Sequence, residues 1–210
     1  MIFTDRHHAG RLLSEKLTSY RNTSGIVLGL VRGGIVVASE VAQSLHLPLD
    51  ALVVKKIPSP DEPELGIGAL APDGVSYVDW RLAHRVGADE DYINGQTRML
   101  NDVIREKLIL YRRGKKPMKI RGKVIILVDD GVATGATFEA AVKWVRKKKA
   151  EKIVAAIPVA PQEILVKMRP EVHELVVIEE ATDLHAVGQF YESFPQVEDG
   201  EVIALLKKSI

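Results

Sequence analysis

The chain has 210 residues, of which 46% are hydrophobic and 27% charged, a composition typical of a folded domain rather than of a disordered segment. Its 29 Lys and Arg residues against 28 Asp and Glu residues give a net charge of +1, so the basic surplus typical of a nucleic-acid-binding protein is missing. The chain has no cysteine, which excludes disulfides, thiolate metal sites and a cysteine nucleophile.

The N-terminal sequence MIFTDRHHAGRLLSEK lacks the apolar region of a signal peptide. No run of apolar residues approaches the length of about 18 that is needed for a membrane span. We therefore expect a protein without a membrane association, located in the cytoplasm and folded as one domain over residues 1–210.

The residue pattern of the first quarter of the chain predicts two strands and two helices. Asp5 can cap a helix whose apolar residues recur at helical spacing. The run IVLGLV at 26–31 predicts a buried strand, and a helix is expected over residues 35–47. Residues 49–57 (LDALVVKKI) predict a second strand that ends in two lysines.

Residues 58–122 interrupt this pattern. Prolines open the segment, and a hairpin is predicted between residues 65–70 and 75–78, around the turn Pro72-Asp73-Gly74. A long polar helix is expected over residues 89–111. A long excursion between two core strands is typical of a functional flap.

The second half alternates between strands and helices. Strands are predicted at residues 123–128, 152–159 and 173–178, and helices at residues 136–148 and 161–168. Alternation of this kind, with strands that are apolar throughout, predicts an α/β fold with a mostly parallel twisted sheet flanked by helices.

The strongest motif follows the strand KVIILV. It is the loop Asp129-Asp130-Gly131-Val132-Ala133-Thr134-Gly135-Ala136-Thr137, which leads into an amphipathic helix. Ligands of parallel α/β sheets bind beyond the carboxyl ends of the strands, and a helix N-terminus offers backbone N–H groups to a phosphate. The loop therefore suits a sugar phosphate, although a plain strand-to-helix turn capped by Asp and Thr explains the residues equally well.

The segments DRHHAG, LGLVRGG and LVDDGVATGAT resemble the small bacterial and archaeal type I phosphoribosyltransferases whose acceptor is unassigned. The resemblance implies the type I phosphoribosyltransferase fold. In that fold, residues 58–122 would be the flexible-loop insertion, and residues 1–24 and 180–210 would build a small hood.

The resemblance also implies roles for individual residues. By similarity, Asp129 and Asp130 would hold the ribose hydroxyls of 5-phosphoribosyl-1-pyrophosphate (PRPP). The 5-phosphate would be bound by the residues that follow in the same loop, namely Ala133, Thr134, Gly135, Ala136 and Thr137. The pyrophosphate would be bound by Arg32, Gly33 and Gly34, which otherwise read as an ordinary turn with a surface arginine.

Two further assignments stay open between alternatives. Lys55 and Lys56 should point to opposite faces of their strand, so one of them could reach pyrophosphate while the other is solvated. Phe190 or Tyr191 could stack on an acceptor base, or could belong to the hydrophobic core.

The activity implied is transfer of phosphoribose from PRPP to a nitrogenous acceptor, with Mg²⁺ held by the substrate rather than by a protein metal site. Ala133 occupies the position where relatives that use 6-oxopurines carry an aspartate, which argues against those bases. Nucleic acid is not expected as a partner, and a homodimer is expected by analogy with the family.

The alternative is a regulator of the same fold that senses PRPP or nucleotides without turnover. The P-loop and Gly-x-Gly-x-x-Gly motifs of other nucleotide-binding folds are absent from the sequence.

Overall fold

The computed structural model of the chain describes residues 1–208. The strands are β1 (Ile26–Val31), β2 (Leu49–Val53), β3 (Lys55–Pro58), β4 (Gly66–Ala71), β5 (Val75–Val78), β6 (Val124–Val128), β7 (Lys152–Pro161) and β8 (Glu174–Ala181). The helices are α1 (Arg6–Lys16), α2 (Gly34–Leu45), α3 (Trp80–Arg85), α4 (Glu90–Arg112), α5 (Ala136–Lys147), α6 (Gln162–Met168) and α7 (Asp199–Lys208). Short 3₁₀ turns occupy Thr18–Tyr20, Pro72–Gly74, Arg169–Glu171 and Val187–Phe190.

Five strands form a parallel sheet in the order β2-β1-β6-β7-β8. Alternate residues of each strand enter different hydrophobic clusters. In β6, for example, Ile126 and Val128 pack with α2 on one face, whereas Ile125 and Leu127 pack with α5 on the other. Because both faces are covered by helices, the central strands β1 and β6 are apolar throughout, as the sequence predicted. The edge strands are less apolar, since β2 contains Asp50 and β8 contains Glu174, Glu179 and Glu180. The predicted α/β fold class is therefore confirmed.

Residues between β2 and β6 form a second, antiparallel sheet in the order β3-β4-β5, followed by α3 and α4. The predicted hairpin corresponds to β4 and β5, and the predicted polar helix corresponds to α4. The segment 58–122 is thus mostly regular structure. Trp144 of α5 ties the hairpin turn to the main sheet, because its indole N–H donates to the Asp73 carboxylate at 2.9 Å.

The prediction of a single strand over residues 49–57 is wrong. β2 ends at Val53, opposite Val31, the last residue of its partner β1. Beyond this point the parallel sheet offers no further partner, and Lys55 pairs instead with Leu70 of β4 in the second sheet. Pro161 also lies at the end of β7 rather than inside the helix that follows, which begins at Gln162.

The two predicted hood segments meet in space. Asp5 caps α1 by accepting from the His8 backbone N–H at 2.7 Å, and Phe3 forms a parallel bridge with Tyr191. The side chains around this bridge form a hydrophobic cluster of their own. Residues 209 and 210 of the predicted hood lie outside the described residues. Within residues 1–208, every helix is too short or too polar to cross a membrane.

Candidate functional site

Three segments converge at the carboxyl edge of the parallel sheet. β1 leads into Arg32-Gly33-Gly34, β6 leads into the loop 129–137, and β2 leads to Lys55. The strand register brings the three exits together, because Gly29 of β1 pairs with Val128 at the end of β6, and Val31 of β1 pairs with Val53 at the end of β2. This is the edge where open parallel sheets bind ligands.

The N-terminus of α5 presents donors to this edge. Gly135 precedes the helix with a φ of 84°, in the left-handed region that favours glycine. Among the hydrogen bonds of the described residues, none uses a backbone N–H group of residues 133 to 137. These free N–H groups and the helix dipole suit an anion such as a phosphate.

The acidic pair packs directly against the turn that follows β1. A Cβ atom added to Gly33 would lie 1.8 Å from Asp130 Oδ2, and one added to Gly34 would lie 2.7 Å from Asp129 Oδ1. Only glycine leaves room for this approach. The peptide bond between Val31 and Arg32 is cis. The structure thus brings together the residues predicted to hold ribose and those predicted to bind pyrophosphate.

The environment of Asp129 destabilises its charged form. Burial, and then the negative charge of Asp130, raise the pKa of Asp129 well above its ordinary value. The Asp130 backbone N–H donates to Asp129 Oδ1 at 2.9 Å and partly opposes that effect. A ligand whose hydroxyl groups donate hydrogen bonds to this carboxylate would replace the hydrogen bonds with water that burial removes.

Arg6 is the residue that the sequence reasoning did not assign. Its side chain is only 9% exposed, and its Nε donates to Asp130 Oδ2 at 2.7 Å. Its Nη1 donates to the Pro195 carbonyl at 2.7 Å, and its guanidinium lies 3.6 Å from the centre of the Phe194 ring. Arg6 therefore joins the hood to the acidic loop. The one signal in the sequence was its place in DRHHAG, a segment that carries the family resemblance.

Tyr191 makes a second connection between the hood and the acidic loop. Its hydroxyl donates to the Asp130 backbone carbonyl at 2.6 Å, and burial raises its pKa, so it stays a donor. The ring is 6% exposed and contacts Phe3 and Phe194. Phe190 is partly buried against the same cluster. In this structure Tyr191 is a core residue.

Lys55 and Lys56 point in different directions, as strand alternation predicts. Lys56 is exposed and donates to the Glu64 carbonyl at 2.7 Å. Lys55 is partly buried, and burial, followed by the positive charges of Lys107 and Arg32, lowers its pKa. Lys55 is therefore the lysine that faces the Arg32 side of the edge.

Arg32 itself is exposed and lies 3.7 Å from Glu198, just before α7. Lys107 of α4 forms an ion pair with Asp199, and the Tyr111 hydroxyl donates to the same carboxylate at 2.6 Å. The sequence reasoning did not assign Lys107, because its place on a polar helix face resembles any solvated lysine. Three cations, Arg32, Lys55 and Lys107, thus lie near one another at this edge.

No three His, Asp or Glu side chains of residues 1–208 come together as a metal-binding group. The two carboxylates of Asp129 and Asp130 are nonetheless oxygen donors beside the Gly33-Gly34 turn. Mg²⁺ favours such oxygen ligands, together with water and substrate phosphates. The carboxylate oxygens at this edge therefore fit a Mg²⁺ ion that is held mainly by a bound substrate.

A family model for the phosphoribosyl transferase domain matches residues 5–187. A Mycobacterium tuberculosis protein named "Putative phosphoribosyl transferase" is 37% identical over 208 residues, which are 99% of this chain and 47% of that protein. The chain thus spans about half the length of the curated relatives it matches.

Two solved structures share the fold. The crystal structure of TT1426 from Thermus thermophilus is 38% identical, has a TM-score of 0.83, and the match covers 100% of this chain and 99% of that one. A hypoxanthine phosphoribosyltransferase from Staphylococcus aureus is 13% identical with a TM-score of 0.51, over 87% of this chain and 77% of that one. The second likeness concerns the fold alone.

Proposed function

Because the chain belongs to the phosphoribosyl transferase domain family, we propose that it binds PRPP with Mg²⁺ and transfers the phosphoribosyl group to a nitrogenous acceptor. The observation that carries this proposal is the packing of Asp129 and Asp130 against the Gly33-Gly34 turn. The carboxylates, which can accept from hydroxyls, lie beside that turn and belong to the same loop as residues 133 to 137, whose backbone N–H groups begin α5. PRPP needs this order of groups, with ribose between its 5-phosphate and its pyrophosphate.

Each loop then has one task. The backbone N–H groups of residues 133 to 137 bind the 5-phosphate, and the carboxylates of Asp129 and Asp130 accept from the ribose 2- and 3-hydroxyls. Arg32, Lys55 and the N–H groups of the Gly33-Gly34 turn bind the pyrophosphate. Preorganised donors of this kind contribute on the order of 3–4 kcal/mol each where charge develops in a transition state.

In the proposed reaction a nitrogen of the acceptor attacks ribose C1 as the bond from C1 to the pyrophosphate oxygen breaks. The C1 centre passes through a state with oxocarbenium character, as in glycoside chemistry. The bonding electrons leave with pyrophosphate, whose charge the cations at this edge stabilise. When bound, Mg²⁺ neutralises part of the same charge from the substrate oxygens.

The experiment is a calorimetric titration of the protein with PRPP, with and without Mg²⁺. Asp129→Asn combined with Asp130→Asn removes both charges, and we expect about hundredfold weaker binding, from two charge-assisted hydrogen bonds. Asp61→Asn combined with Asp102→Asn is the matched control, because both side chains are exposed and remote in sequence from the loop. PRPP affinity that is equal in the two double variants would remove the central claim.

The acidic double variant needs a companion, because Asp130 is also the ion-pair partner of buried Arg6. Arg32→Ala serves this purpose, since Arg32 is exposed and its loss should leave the fold intact. We expect weaker PRPP binding with an unchanged thermal midpoint. If PRPP binds, release of pyrophosphate in the presence of a panel of purine and pyrimidine bases tests transfer. Binding without release by any base would favour the regulatory alternative.

A further inference from the structure

Two basic runs of this nearly neutral chain come together in space. Seven of the twelve residues from 112 to 123 are Lys or Arg and none is acidic, and residues 146–149 are all basic. The fold joins these two runs. The Gly122 N–H donates to the Lys149 carbonyl at 3.0 Å, and the Glu151 N–H donates to the Lys123 carbonyl at 2.9 Å.

This basic region lies at the opposite edge of the sheet from the proposed PRPP site. Lys123 directly precedes β6, Lys152 opens β7, and Leu49 opens β2, so the region borders the amino ends of these parallel strands. The loops described above follow the carboxyl ends. A ligand bound here would be distinct from the substrates of the proposed reaction.

The region is concave. A depression of about 500 Å³ is lined by Arg112, Lys119, Arg121 and Lys148, with Ile120 and Trp144 among its apolar residues. A second depression of about 290 Å³ shares Arg112 with the first and is lined by four further cations, Arg113, Lys115, Lys116 and Lys207. Pockets for small ligands are typically about 300–1,000 Å³.

Part of the positive charge is uncompensated. Arg112 pairs with Asp50 at 3.3 Å and Lys148 pairs with Asp73 at 2.9 Å. In contrast, no ion pair within residues 1–208 engages Lys119 or Arg121, which line the same depression. Unpaired like charges around a concavity attract a multivalent anion, which relieves their mutual repulsion.

The chemistry of the depression favours a small ligand over a nucleic-acid strand. Trp144 is 7% exposed and its indole N–H is already bonded to Asp73, so it offers little surface for stacking successive bases. Cations above apolar residues suit a molecule that has a phosphate chain and a less polar body. We propose that this depression is a second anion site, which binds a small, multiply phosphorylated molecule such as a nucleoside polyphosphate.

The test is a calorimetric titration with inorganic tripolyphosphate and, separately, with ATP. The protein is the Arg32→Ala variant, compared with the unmodified chain, so that binding at the proposed pyrophosphate turn is weakened. Adding Lys119→Ala and Arg121→Ala should weaken tripolyphosphate binding about tenfold or more, as expected for loss of charge-assisted contacts. Adding Lys16→Ala and Arg21→Ala, which remove two exposed cations elsewhere, should change it less than about twofold.

ATP should bind at least as tightly as tripolyphosphate, because its nucleoside would contact Pro117 and Met118, the more exposed apolar residues of the depression. The proposal is overturned if tripolyphosphate does not bind, if the two added pairs of substitutions have equal effects, or if Arg32→Ala alone abolishes binding. A short RNA that binds far more tightly than tripolyphosphate, through Lys119 and Arg121, would overturn the choice of a small ligand. None of these outcomes depends on whether PRPP is the substrate.

Discussion

The contact between Arg6 and Asp130 should be strongly stabilising, and Arg6→Met tests this directly. Methionine keeps the unbranched apolar stem of the side chain but leaves the Asp130 carboxylate and the Pro195 carbonyl without their donor. The two charged side chains are 9% and 14% exposed, so solvent screens them little. Removing one partner of a buried pair costs about 3–5 kcal/mol, against about 5–15 kcal/mol for the whole free energy of unfolding of a typical domain.

The assay is equilibrium unfolding in urea, as a double-mutant cycle of Arg6→Met and Asp130→Asn. Because the second substitution removes the charge that the first leaves unpaired, we expect a coupling free energy of about 1–3 kcal/mol. Arg146→Met is the control. Arg146 pairs with Glu171 at 3.0 Å, but its side chain is 53% exposed, so its loss should cost less than about 1 kcal/mol. Equal costs for Arg6→Met and Arg146→Met, or additive effects in the cycle, would refute the reasoning.

Three further predictions concern the same edge of the sheet. Gly33→Ala should destabilise the fold by about 1–3 kcal/mol and abolish PRPP binding, because its Cβ would lie 1.8 Å from a carboxylate oxygen of the acidic pair. Gly95→Ala, inside α4 with no atom within 4 Å of the added Cβ, should be neutral or stabilising in the same urea assay. Lys55→Ala should weaken PRPP binding about tenfold by calorimetry while Lys56→Ala changes it less than about twofold, since only Lys55 is partly buried on the Arg32 side. Asp129→Asn should raise the thermal midpoint near pH 7, because the raised pKa of Asp129 makes its ionisation in the folded state unfavourable, and the gain should vanish below about pH 4, where the wild-type carboxyl is protonated in both states.

The sequence predicted those features that local residues determine. The apolar runs of β1, β6 and β7 were found because each strand is buried on both faces, and the loop 129–137 was found because its residues are adjacent in the chain. The break at Val54 was not found, because it depends on where the partner strand β1 ends.

The hood contacts were missed for a related reason. Arg6 is one of 29 basic residues, and its burial results from residues more than 120 positions away. Tyr191 could be read as a base-stacking residue or as a core residue, and the structure places it in the core beneath Asp130. Neither alternative could be excluded from periodicity, since both put an aromatic ring in an apolar segment.

The bridge between Phe3 and Tyr191 has a consequence for the order in which the chain folds. Next to that bridge, Arg6 contacts Asp130 and Pro195, which lie 124 and 189 positions further along the chain. All the hydrogen-bond partners of Arg6 are therefore present only after residue 195 has been synthesised. The last strand of the parallel sheet ends at residue 181, and contacts of such long sequence separation form late because they close large loops. A nascent chain should therefore form the parallel sheet before Arg6 and Tyr191 contact Asp130 in the loop 129–137. Ligand binding should become measurable only in the final stage of folding.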